Sequence, residues 1–333
     1  MRESIKLGHG SGGVLTHRLI RDIFLKTFNN RILRRLEDAA AIGRLAFTTD
    51  AYVVKPLFFP GGDIGRLAVS GTVNDLAMKG AVPKYLSITF IIEEGFPVDE
   101  LKIVSRSAQQ AAAQARVKIV AGDTKVVEKG AADRLFITTA GIGIIPGGTN
   151  VSPARVRPGD VIIINGTIGD HGIAVLNKRL ELGLVMKLVS DCAPLGHLVQ
   201  TMLSTGSNRR AVHMMRDPTR GGVATSLNEI SKQAGVGIII DEEALPIRPA
   251  VHGACELLGL DPLYVANEGK VIAIVARKAA GRILPTMRKH PLGRNSTVIG
   301  EVVKRPRGLF LKTGIGGLRP LLMLETEMLP RIC

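Results

Sequence analysis

The sequence ends on a thiol. Cys333 closes the run Leu329, Pro330, Arg331, Ile332, Cys333, and a cysteine with no chain beyond it can carry its sulfur into a cleft without dragging a loop along. A frayed end with an accidental cysteine is the plain alternative, because chain termini are often mobile. Upstream, Thr313 to Gly317 (TGIGG) reads by composition as a flexible hinge, since glycine accepts most backbone angles. From Gly317 to Cys333 is sixteen residues, a reach of roughly 50 Å when extended, which brings the thiol to any site on a compact body. Arg331 favours the thiolate of Cys333 and the terminal carboxylate opposes it.

Carboxylates form the second chemical set. Asp38 and Asp50 flank a strand expected over Leu45 to Thr49, with Asp50 where the apolar run stops; as single residues, turn aspartates read equally well. Asn74 and Asp75 fall inside a helix expected over 63–79, opened by Asp63 as its cap. A carboxylate in so apolar a neighbourhood needs a cation or a hydrogen-bond donor, because desolvating it unpaired is costly, and a metal is the specific expectation. Gly122, Asp123, Thr124 and Lys125 stand at the exit of a short strand Val117 to Ala121, as a magnesium and phosphate station or as a turn with a solvated lysine. In MMRDPTRGG (214–222), Asp217 offers a carboxylate, Arg220 a fork for phosphate, and Gly221 and Gly222 open a helix. Glu268 opens a late strand. His171, in the second glycine-rich turn NGTIGDHG (165–172), reads as a ligand or, more simply, as a surface or capping residue.

These groups need elements to hold them. GHGSGG (8–13) suits a loose end or a backbone that wraps phosphate with its amides, and it lacks the Gly-Lys-Ser/Thr ending of a Walker A loop. Val14, Leu15, Leu19, Ile23 and Phe24 then recur at helical spacing, predicting a helix over about 13–28. Strands are expected over Tyr85 to Ile92, Leu135 to Ile145, Val161 to Ile164 and Val236 to Ile240, with an amphipathic helix through Leu101, Val104, Ala108, Ala111 and Ala115 between the first two. At SPARVRPGD (152–160), proline and glycine punctuate a boundary and the pattern restarts.

Composition bounds the partners. A chain of 333 residues, 45% hydrophobic, has room for two domains with sizeable cores. Aromatic content is 4% with no Trp, which argues against single-stranded nucleic-acid binding by base stacking. The balance of 44 Lys and Arg against 29 Asp and Glu gives a net charge of +15, but these basic residues are scattered and form no reading motif for nucleic acid; a basic surface facing an acidic protein partner is the better expectation. Cys192, Cys255 and Cys333 are an odd number at spacings that suit neither zinc nor a disulfide framework, and Cys192 and Cys255 read as small core residues. The start MRESIKLGHG has no apolar signal-peptide core, and no run of about 18 apolar residues marks a membrane span, so a cytoplasmic location is expected.

Taken together, HGSGG (9–13), TTD (48–50), FPGGDIG (59–65), VND (73–75), GDTK (122–125), DPTRGG (217–222), ANEGK (266–270) and the terminal PRIC (330–333) resemble the HypE family, the carbamoyl dehydratases of nickel-iron hydrogenase maturation, within the aminoimidazole ribonucleotide synthetase superfamily. The likeness spans essentially the whole chain, and the terminal cysteine separates it from sister enzymes. It implies a layered α/β (α+β) fold of two domains, mixed β-sheets covered by helices, with N-terminal sheets paired in a homodimer. The expected division is 1–35 as glycine-rich segment and helix, 36–150 as the ATP, magnesium and dimerisation domain, 151–312 as the C-terminal α/β domain, and 313–333 as a flexible tail.

By position, the resemblance makes Asp38, Asp50, Asp75, Asp123 and Asp217 the magnesium and nucleotide ligands. His9, Gly10, Ser11, Gly12 and Gly13 close over ATP, helped by Thr124 and Arg220. Cys333, Glu268 and Lys125 become catalytic: the sulfur carries a carbamoyl group, ATP phosphorylates its oxygen, Glu268 accepts a proton, and Lys125 neutralises phosphate or the developing imidate. Loss of phosphate leaves a thiocyanate, the source of the cyanide ligand of the hydrogenase iron. The implied partners are a carbamoyltransferase of the HypF kind and an iron scaffold of the HypC–HypD kind. A sister kinase such as thiamine-monophosphate kinase is the alternative; selenophosphate synthetase fits less well because the glycine-rich start has no Cys. The other alternative is a nucleotide-gated binding module in which Cys333 only docks a partner.

Overall fold

A computed structural model describes residues 4–181, 187–325, 329 and 331–333; Pro330 of the terminal motif and part of the expected tail lie outside the described residues. The first half holds strands β1 (Ala40–Ile42), β2 (Leu45–Tyr52), β3 (Phe58–Phe59), β4 (Gly62–Asp63), β5 (Val82–Glu93), β6 (Lys118–Val127) and β7 (Leu135–Ile144). Its helices are α1 (Val14–Leu19), α2 (Leu25–Thr27), α3 (Ile64–Met78) and α4 (Val98–Ala115). The second half holds strands β8 (Val161–Ile164), β9 (Val212–Arg216), β10 (Gly237–Asp241), β11 (Ile272–Val275), β12 (Thr297–Val303), β13 (Gly308–Lys312) and β14 (Leu318–Pro320). Its helices are α5 (Asp170–Leu180), α6 (Gly196–Met202), α7 (Gly206–Ala211), α8 (Gly222–Ala234), α9 (Pro249–Leu258) and α10 (Arg277–Arg288).

Five strands form the N-terminal sheet in the order β1-β2-β7-β5-β6, antiparallel except for the β5–β6 pair. Helices α3 and α4 cover one face. Asp63 caps α3 as expected, its carboxylate accepting from the Gly65 and Arg66 amides. The other face is open in the single chain: Phe47, Ile142 and Tyr85 stand side by side across β2, β7 and β5, each about two-fifths exposed or more. The seven-stranded sheet runs β14-β13-β10-β12-β8-β11-β9, mixed because β10 and β13 are parallel. Its inner strands β8 (VIII) and β11 (IAIV) are buried at every position, which is why they read as unbroken apolar runs rather than alternating ones.

Three sequence expectations change here. The predicted helix over 13–28 is present as α1, a π turn (Ile20–Phe24) and α2, yet Ile23 and Phe24 on its apolar side face solvent. The GDTK run is not a strand exit, because β6 continues through it to Val127, paired residue by residue with β5. The glycines at 313–317 are not a free hinge but the turn between β13 and β14. The Thr313 amide donates to the Gly317 carbonyl (2.8 Å), and the Gly317 amide to the Thr313 hydroxyl (3.0 Å). The second sheet therefore reaches Pro320, beyond the boundary expected at 312. Among the described residues, no helix is long and apolar enough to cross a membrane.

Candidate active site

Four aspartates from distant parts of the chain line one cavity of about 250 Å³: Asp38, Asp50, Asp75 and Asp217, with Thr48, Arg220, Glu268 and Cys333. Asp50 lies inside β2 on the face turned to α3 rather than at a strand end, so the pleat aims it at the interior. Asp75 projects from α3, its carboxylate accepting from the Thr48 hydroxyl at 2.8 Å. That hydroxyl also lies 2.9 Å from the Asp38 carbonyl, so the TTD strand ties two acidic residues together. Asp38 meets the Arg216 guanidinium at 3.0 Å.

Burial and mutual repulsion raise these carboxylates above their ordinary range. Asp75 is pushed well up by desolvation and then by the charges of Asp217, Asp50 and Asp38. Asp217 rises to about 8 by desolvation and Asp38, and Asp38 to about 6 by desolvation, against the pull of Arg216. Among the described residues, no three acidic, histidine or cysteine side chains converge tightly enough to hold a metal as they stand. The donor set nonetheless suits a hard dication, since it consists of carboxylate oxygens, and a cation there would relieve the repulsion that lifts their pKa values.

Glu268 enters this cavity from the ANEGK segment with its backbone pinned on both sides. Its amide donates to Asp191 Oδ1 at 3.1 Å, and its carbonyl accepts from Asn74 Nδ2 at 3.0 Å. Lys270 holds Asp191 in turn, at 2.8 Å. Among the described residues, the Glu268 carboxyl is left with Oε1 buried and without a hydrogen-bond partner, and desolvation, reinforced by Asp217, Asp191 and Asp50, raises its pKa well above the usual glutamate range. A buried carboxyl held ready and unsatisfied is a group prepared to exchange a proton.

The tail reaches the same cavity. Cys333 is 7% exposed, and Arg220 Nε donates to its Sγ at 3.1 Å. Burial pushes the thiol up to about 12, with Arg220 opposing and Glu268 adding to the rise, so it rests protonated. Arg331 does not tune the sulfur. Its guanidinium reaches Asp133 at 2.6 Å and the Val53 carbonyl at 2.9 Å, and Arg220 is the cation at the thiol. The end of the chain lies along the segment after β2: the Val53 amide donates to the Cys333 carbonyl (3.3 Å) and the Lys55 amide to the Arg331 carbonyl (3.2 Å). Ile332 is 1% exposed, in an apolar cluster drawn from both halves of the chain.

The glycine-rich start lies over this end. The Gly10 carbonyl accepts from Arg220 Nη1 at 3.0 Å, and the Val14 amide donates to the Leu324 carbonyl at 3.0 Å. A Cβ on Gly13 would meet that carbonyl at 2.6 Å, so glycine is required for the approach. His9 turns to the main chain of Lys6.

Asp123, Thr124 and Lys125 are not brought into the cavity by their own chain. Asp123 is in register with Thr89, Thr138 and Ala51. That sets it three strand spacings from β2, roughly 14 Å, on the open face that Asp50 turns away from. It is exposed and paired with Lys125 at 2.8 Å. Conversely, sequence reasoning missed Arg216, Asp191, Ser190 and the burial of His171, which is 0% exposed.

Residues 36–145 match the family described as AIR synthase related protein, N-terminal domain, and residues 157–311 its C-terminal domain. The carbamoyl dehydratase HypE of Bradyrhizobium diazoefficiens is 52% identical over 334 residues, covering 99% of this chain and 96% of its own. The chain belongs to the HypE family of carbamoyl dehydratases. The HypE of a crystallised HypE–HypF complex superposes with a TM-score of 0.89 at 50% identity, covering 92% of this chain and 99% of its own. HypE crystallised in complex with ATP gives 0.83 at 47% identity, covering 99% and 100%. Membership in the HypE family removes the sister kinase as a reading and gives the terminal cysteine its context.

Proposed function

We propose that this protein uses ATP to dehydrate a carbamoyl group carried on Cys333, turning the S-carbamoyl group into a thiocyanate with release of ADP and phosphate. The observation that carries the reading is the meeting of three unlike groups in one cavity: the terminal sulfur, an unpartnered buried glutamate and a cluster of repelling aspartates. Asp38, Asp50, Asp75 and Asp217 would hold magnesium, which supplies charge neutralisation to phosphoryl transfer. The carbamoyl oxygen takes the terminal phosphoryl group of ATP, which makes it a leaving group. Glu268 accepts an amide proton, a role suited to a carboxylate of raised basicity. Expulsion of phosphate and loss of the second proton complete the carbon–nitrogen triple bond while the carbon–sulfur bond stays intact. Arg220 orients the sulfur.

Asp123, Thr124 and Lys125 enter this chemistry from a second copy. The open apolar face and the exposed strand β6 support a homodimer in which each β6 completes the other chain's cleft. The solved complex of a HypE relative with HypF supports a HypF-type carbamoyltransferase as the donor, and a HypC–HypD-type scaffold would receive the cyanide for iron. Neither nucleic acid nor membrane has a role in this reading, and the work is cytoplasmic.

The test uses protein S-carbamoylated at Cys333, incubated with magnesium and ATP. Loss of one water from the terminal peptide, with ADP and phosphate released, is the expected result. ADP formation without that mass loss, or modification confined to Cys192 or Cys255, would defeat the assignment.

A further inference from the structure

His171 is fully buried in the first turn of α5 and unused by the chemistry above, yet it bridges the chain body to the tail. Its Nε2 lies 2.9 Å from the Ile332 carbonyl oxygen, and its Nδ1 lies 2.8 Å from the Ser190 hydroxyl. A carbonyl only accepts, so Nε2 must carry the proton. Nδ1 is then the acceptor, and Ser190 must donate to it. Ser190 is itself oriented, because its Oγ accepts the Cys192 amide at 3.0 Å and its own amide donates to the Pro60 carbonyl at 2.7 Å. The Phe59 ring meets the imidazole edge-on, 5.4 Å between centroids, which limits its rotation. Burial lowers the pKa of His171, in keeping with a neutral ring of one tautomer.

The Ile332 carbonyl belongs to the peptide bond that carries Cys333. Fixing it leaves the cysteine side chain little freedom beyond its own χ1, and the Val53 amide fixes the carbonyl on the far side. We propose that His171 is the positioning residue of the tail socket: its Nε2–H latches the Ile332 carbonyl and thereby sets the Cys333 sulfur against Arg220 and Glu268. The latch grips main chain and leaves the sulfur untouched, so it serves the thiol and its modified forms alike. Arg179 Nη2 on the Arg331 carbonyl, at 2.5 Å, holds the preceding residue by the same means. The role in dehydration rests on the functional reading given above; the latch itself does not.

The experiment is timed alkylation of the whole protein by iodoacetamide, with each cysteine followed by peptide mass spectrometry. Cys192 and Cys255 are buried and report on the fold. His171→Ala is expected to speed alkylation of Cys333 by roughly tenfold, the scale of one lost buried hydrogen bond, while Cys192 and Cys255 stay protected. His171→Gln, whose amide nitrogen can take the place of Nε2, is expected to restore protection to within a few-fold. In the S-carbamoylated protein, dehydration should fall and recover in the same order. Unchanged protection of Cys333 in His171→Ala overturns the proposal. If that variant opens all three cysteines, His171→Gln decides: protection of Cys333 supports the latch, and a folded protein with Cys333 as reactive as in the alanine variant overturns it. Protection that follows this pattern in a protein with no dehydration would sink the functional reading and leave the latch standing.

Discussion

At the tail socket, the chain finishes its own work: the Val53 and Lys55 amides, His171, Arg179 and Arg220 all engage the last three residues. On strand β6, nothing comparable happens. All but the last of its ten residues are exposed, and among the described residues the Asp123 carboxylate pairs with Lys125 and accepts from the Thr124 amide, both local to its own strand. An exposed ion pair of this sort is screened by water and adds little to stability, so stability does not account for two charged residues beside an apolar face. On the function proposed above, the contrast divides the work: one chain builds the sulfur and proton-acceptor half of the site, and the lysine half is offered to a second copy.

The largest effect is expected on the socket side. Glu268→Gln keeps the shape of the cavity and removes the proposed proton acceptor, so dehydration should fall by about 10²–10⁴-fold, the usual contribution of a general base, with nucleotide binding retained in a titration. Turnover at the normal rate would take Glu268 out of the mechanism and leave the buried unpartnered oxygen unexplained.

Much of this was legible in the sequence, and the misses have physical causes. The sequence places Asp63 at the cap and Asp75 inside α3, as the structure has them, because capping and helical periodicity are local. GDTK reads as a strand exit since Gly122 and Asp123 favour turns; pairing with β5 overrides that preference and carries the strand on to Val127. Thr313–Gly317 reads as a hinge because glycine content does not separate a free linker from a closed hairpin turn. His171 read as a surface residue because its partners, Ser190 and Ile332, lie 19 and 161 residues away. No local pattern announces a contact of that range.

A smaller effect sharpens the socket side by itself. With its pKa raised to about 12, docked Cys333 is almost wholly thiol at neutral pH, and only the thiolate is alkylated. Each unit of pH increase below that value should therefore raise its alkylation rate about tenfold, with no levelling by pH 10. A plateau beginning at about 8.5, the value of a free cysteine, would mean that the tail spends most of its time undocked.

The division of the site between two chains is tested most directly by mixing two inactive variants, Lys125→Met and Glu268→Gln, after dissociating and reassembling their dimers. If β6 of one chain completes the cavity of the other, random reassembly makes half the dimers mixed. Each mixed dimer has one site with both native residues, so dehydration should return to about a quarter of the wild-type level. If Lys125 serves the cavity of its own chain, no site in the mixture is whole, and the absence of any recovery would contradict the account.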